Sequence, residues 1–209
     1  MLSALVLGAA AMVAPSTSAP IDFVHSFKRG DKFTYEMVYG FITGLQLPMT
    51  FALTMGATKD GKTDVSLRVT DKGAFEFSET DVVEFVIDAN GMPIKNLVEE
   101  NVMPFYMAML FMYLPNKSLS VGDTFELTRK NERFETSGKG RFVGVEEVDG
   151  KKYAVLDWQV SLSFSAGNEE EITLQIKSYY DSENKRVERA EAEVSSPEGN
   201  MGVSLKWKK

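Results

Sequence analysis

Apolar and polar side chains alternate along most of the chain. Phe33, Tyr35, Met37 and Tyr39 alternate with Thr34 and Glu36, and Met49, Phe51, Leu53 and Met55 alternate with Thr50, Ala52 and Thr54. A period of two is the mark of a half-buried β-strand. The same period returns at Val65, Leu67 and Val69, at Phe75 and Phe77, over 83–87, and over 142–148. It is cleanest where Leu156, Trp158, Val160, Leu162 and Phe164 alternate with Asp157, Gln159, Ser161 and Ser163. Ile172, Leu174 and Ile176, then Ala190, Ala192 and Val194, then Val203, Leu205 and Trp207 complete the series. Asp60-Gly61, Asn90-Gly91 and Asp149-Gly150 are predicted as tight hairpin turns of the primed kind. The pattern predicts about ten to eleven antiparallel strands, a number at which sheets tend to curl.

One stretch breaks the alternation. Within LVEENVMPFYMAMLFMYLP (97–115), no charged or strongly polar side chain occurs from Phe105 to Leu114. A helix apolar on every side is a buried one. Asn96 with Glu99 has N-cap spacing, and Asn101 as the cap would put Pro104 harmlessly in the first turn. Pro115 ends the element. From Val102 to Leu114 the helix would be only about 20 Å long, short of the roughly 20 residues a membrane span needs. Four of the chain's 11 methionines, Met103, Met107, Met109 and Met112, lie here. Methionine suits both irregular cores and adaptable apolar surfaces.

An antiparallel sheet with one apolar face must cover that face, with a second sheet or by curling around something. The expected fold is therefore mainly β (α+β), a curved antiparallel sheet or half barrel enclosing one apolar helix at about 97–114. Leu114-Pro115, Leu119, Val121-Gly122-Asp123-Thr124-Phe125 and the later Gly144 to Lys151 segment resemble exported bacterial domains of unknown function. The architecture as a whole resembles the periplasmic lipoprotein-carrier (LolA/LppX-like) fold. That resemblance implies a helix-lined hollow able to take acyl chains.

The first 19 residues, MLSALVLGAAAMVAPSTSA, resemble the apolar core and small-residue tail of a secretory signal peptide. A basic start is missing, and Pro20 follows the expected cut. The expectation is a signal peptide over 1–19, one domain over 20–209, and a periplasmic or secreted location; an uncleaved anchor is the alternative. The formal net charge of −7 argues against a nucleic-acid partner. With no cysteine there are no disulfides, so the domain depends on its core.

Chemistry has few places to sit. The single histidine, His25, is read as a polar residue on an edge segment without a partner, and it cannot close a zinc site alone. Arg186, Glu188, Arg189, Glu191 and Glu193 read as the outer face of a late strand, paired across it. No phosphate loop or nucleophile elbow is present, so no catalytic residue, metal or cofactor is assigned. The favoured reading is a non-enzymatic binder of a lipid, acyl chain or other apolar ligand. Its walls would be Met103, Tyr106, Met109, Leu110, Tyr113, Trp158 and Phe164. The alternative is a structural or protein-interaction domain whose helix only fills the core. An envelope protein is a further candidate partner, and a monomer is expected.

Overall fold

A computed structural model describes residues 19–41, 44–71, 82–95, 109–130, 134–164, 171–197 and 199–208. The strands on the N-terminal side of the apolar stretch are β1 (Ile21–Phe23), β2 (Lys32–Phe41), β3 (Gln46–Lys59), β4 (Lys62–Asp71), β5 (Val82–Ile87) and β6 (Pro93–Lys95). Beyond it come β7 (Lys117–Leu119), β8 (Thr124–Lys130), β9 (Phe134–Val148), β10 (Lys151–Phe164), β11 (Glu171–Asp181), β12 (Arg186–Ser196) and β13 (Gly199–Lys208). Eleven form one antiparallel sheet in the order β6-β5-β4-β3-β2-β13-β12-β11-β10-β9-β8, and β1 pairs with β7. The chain thus works outward from the sheet's middle to one edge, crosses to the other edge, and returns to the middle.

Strands sit about 4.8 Å apart, so β5 and β8, nine strand spacings from each other, would lie about 43 Å apart in a flat sheet. Yet Arg129 on β8 forms an ion pair with Asp88, just past β5. The sheet must be curled until its margins nearly meet, although no ladder joins β6 to β8 and it stays open. The register slips by one residue at Thr70, Val143 and Glu188, and such bulges sharpen twist and bend.

The alternating residues meet on the concave side. A single register row runs Phe125, Gly140, Trp158, Ile176, Ala192, Val203, Tyr39 and Leu47 across eight strands. Nothing in that row carries a charge. Gly138 and Gly140 face inward on β9 because there is no room for a side chain. A Cβ on Gly140 would overlap Trp158 Cβ and the Phe125 ring, and one on Gly138 would lie 2.6 Å from Val160 Cγ2.

Three expectations need correction. Of the helix predicted over 97–114, residues 109–111 are helical and Met112 to Leu114 have already left it, while 96–108 lie outside the described residues. Ending the helix early frees the last carbonyls to bond elsewhere. Second, the Asn90-Gly91 turn is not primed. Asp60-Gly61 and Asp149-Gly150 have positive φ at both central residues, but here only Gly91 does (85°), and its N–H closes a turn onto Asp88 O at 3.0 Å. That is an ordinary turn followed by a left-handed glycine. Third, Arg186 and Arg189 do not pair across strands. Each bonds a glutamate two residues on, Glu188 and Glu191, because residues two apart on a strand share a face, and Glu188 is buried rather than on the outer face. The strand expected at Phe75 and Phe77 lies outside the described residues.

Candidate functional site

Met109 to Leu114 sit in the hollow, and all six side chains are buried. The last turn is tight: Met112 N–H donates to Met109 O at 3.1 Å and Tyr113 N–H to Leu110 O at 3.0 Å. Such three-residue closures commonly finish a helix whose end carbonyls need partners. Tyr113 then swings its ring between two strands. Its centroid lies 5.2 Å from that of Trp158 and 6.0 Å from that of Phe125. The indole N–H of Trp158 donates to Ser178 Oγ at 3.3 Å, which satisfies a polar atom that burial would otherwise penalise.

Four of the seven residues read as walls, Met109, Leu110, Tyr113 and Trp158, have described side chains. Tyr113 and Trp158 touch, Leu110 is fully buried, and Met109 lines a small void on the β3–β5 side with Phe27, Leu53, Met55, Ile87 and Met112. Met103 and Tyr106 lie outside the described residues, as does the side chain of Phe164 on β10. The void measures about 10 Å³, no more than one water needs. This part of the hollow is packed.

His25 was expected to have no partner. Instead its Nε2 donates to Met112 O at 2.9 Å and its ring stacks on Phe27, 4.5 Å between centroids. The early end of the helix supplies that carbonyl. Burial lowers the His25 pKa to about 4, against smaller upward pulls from the Met112 and Asn90 carbonyls and the Asp88 charge. Gly91 makes the approach possible, since a Cβ there would lie 2.8 Å from His25 Nε2.

Sequence reasoning missed the polar seam along the sheet's margins. Asp88 caps its own turn by accepting from the N–H groups of Asn90 (2.9 Å) and Met92 (3.0 Å). Arg129 bonds Asp88 and also donates to Asn90 Oδ1 at 3.2 Å. Asn90 is tied to Leu114 twice: Leu114 N–H donates to Asn90 O (3.0 Å), and Asn90 Nδ2 donates to Leu114 O (2.8 Å). On the other side, Tyr113 OH donates to Glu126 O (3.4 Å) and Lys117 Nζ to Thr124 O (3.0 Å). The Asp-x-Asn-Gly turn was the available signal. Its distant partner, an arginine on an edge strand, had none.

A second polar cluster lies where β10 begins and β11 turns into β12. Lys151 Nζ bonds Asp181 (2.6 Å) and Glu188 (2.8 Å), and Tyr153 OH donates to Glu188 (3.1 Å). Arg186 stacks 3.7 Å over the Trp207 ring. Burial alone would raise the Asp181 pKa, but bonds from Asn184 and Lys151 hold it well below the usual carboxylate range. Every carboxylate here is partnered, the arrangement of a structural network. On the polar side of β8–β10 an open groove of about 320 Å³ runs past Thr128, Ser137, Lys139 and Gln159. Among the described residues no group of three or more acidic or histidine side chains is placed to hold a metal. Nor is any described helix long and apolar enough to cross a membrane.

No protein-family model matches the chain, and no curated protein matches it. The chain is similar to the solved structure of the hypothetical lipoprotein YmcC from Escherichia coli, at 15% identity and a TM-score of 0.35, over 84% of this chain and 86% of that one. It is similar to a protein of YmcC-like fold from Bacteroides fragilis, at 11% identity and a TM-score of 0.42, over 90% of this chain and all (100%) of that one. A DUF1329 family protein from Desulfovibrio piger shares 11% identity with a TM-score of 0.27, over 85% and 83% of the two chains. At these values no residue role passes from one chain to another.

Proposed function

We propose that the protein is an exported, non-catalytic domain whose hollow takes a lipid, acyl chain or other apolar ligand when the Met109 to Leu114 segment yields space to it. One observation carries this reading: an eleven-stranded sheet curls around a mostly apolar concave face, and its described cover is a short apolar segment held by hydrogen bonds at Tyr113 and Leu114. Apolar burial contributes about 25 cal/mol per Å², enough for an acyl chain to bind without polar contacts. Met109 and Met112 can repack as the ligand enters, since thioether side chains adapt readily.

A second reading has its own support. The void beside Met109 is about 10 Å³, which favours a segment that only fills the core of a structural or interaction domain. Native mass spectrometry of protein drawn gently from its host, with titration by N-phenyl-1-naphthylamine, separates the two. Binding predicts co-purifying lipid, a melting temperature that rises with probe concentration, and a change in Trp158 emission as Tyr113 moves. Core filling predicts none of these, and Met109→Ala then costs about 2–5 kcal/mol of stability, as other large-to-small core changes do.

A further inference from the structure

The two margins of the sheet run parallel, so no hairpin can join them, and β6 is a three-residue strand that begins with Pro93. Proline and shortness both blunt an edge. On β8, the carbonyls of Thr124, Glu126 and Thr128 accept from the side chains of Lys117, Tyr113 and Arg129. The gap between margins is thus spanned by the 112–117 segment, and among the described residues Arg129 alone reaches from β8 to the β5–β6 turn. We infer that Arg129 is a latch, and that its release from Asp88 and Asn90 opens this seam as the way an apolar ligand reaches the hollow.

The inference rests on the binding reading above. Three features single out this seam. The sheet's strands are joined by ladders of backbone hydrogen bonds, whereas at the seam, apart from the Leu114 N–H to Asn90 O bond, side chains make the contacts. Asn90 links the latch directly to Leu114, so loss of Arg129 loosens the same turn that anchors the cover. The Arg129 side chain is 40% exposed and Asp88 18%, so solvent can compete for the pair. A half-buried ion pair of this kind weakens moderately as salt rises.

The test follows probe uptake by stopped flow, using N-phenyl-1-naphthylamine with wild type, Arg129→Met and Asp88→Asn. A latch stabilises the closed form with or without ligand. Association and dissociation should therefore both speed up tenfold or more in the variants, with Kd within about twofold. The chain has no cysteine, so Asp88→Cys/Arg129→Cys joined by a short bismaleimide should slow uptake by a similar factor. Probe that binds wild type and variants with equal rates overturns the latch and leaves the binding reading in place. Probe that binds neither removes the binding reading and, with it, the seam as a route. In that case amide exchange across 112–119 decides the rest: tenfold faster exchange in Arg129→Met keeps the latch as a conformational device, and unchanged exchange overturns it.

Discussion

Two single residues set the tolerance of the hollow. His25 is neutral in the folded protein because burial disfavours its charge, and its folded pKa near 4 lies below the unfolded 6.5. Between those values the unfolded chain binds the extra proton, so stability falls as pH drops through that window and levels out below it. The loss should be on the order of 2–3 kcal/mol, read from urea titrations at pH 7 and pH 4. His25→Gln, which keeps a donor toward Met112 O, should flatten most of that slope. A slope unchanged in the variant would show that His25 is not the source of the acid sensitivity. Gly140 is the other residue. Its inward Cα lies under Trp158 and Phe125, so Gly140→Ala should cost about 1–3 kcal/mol through overpacking, whereas a surface glycine such as Gly150 would tolerate change according to its φ alone.

At the scale of elements, alternation made nearly every long strand visible, because a strand buried on one face must write its environment into every second residue. Leu156 to Leu162 on β10 is the clearest instance, and four of its inward residues are buried as read. The short strands were invisible. Ile21 to Phe23 and Lys117 to Leu119 are too brief for periodicity, and they pair across almost a hundred residues. Their strength comes from Phe23, whose ring lies 5.1 Å from both Phe142 and Tyr180, while the single Tyr180 O–H is shared between the carbonyls of Asp22 and Val24. Of the candidate site, Tyr113 and Trp158 were legible because aromatic rings on an inward phase have nowhere else to go. His25 and Arg129 were not, because a polar bond between remote segments leaves no trace in local pattern, and Asp88 and Asn90 were legible only as a turn. Phe23→Ala should therefore destabilise the whole domain by about 3–5 kcal/mol, measurable by thermal melts. A loss below 1 kcal/mol would mean that β1 merely decorates the fold.

For the molecule as a whole, the long strands at the two ends of the chain are neighbours in the sheet's middle. Met37 faces Leu205, Tyr39 faces Val203 and Tyr35 faces Trp207 on adjoining strands. Removing residues 199–209 would strip the partner from both β2 and β12 and expose two long apolar-faced edges at the centre. Such a truncation should fail to melt cooperatively and should aggregate in size-exclusion chromatography, whereas trimming the peripheral β6 should leave a cooperative transition. Contacts this distant in sequence also predict slow folding relative to helical domains of equal size.

The central position of β13 has a bearing on biosynthesis. A ribosome releases the N-terminal half of this sheet long before the strand that must flank it exists, and the keystone is the final piece to arrive. However the chain is delivered, its arch cannot lock until β13 has slid between β2 and β12.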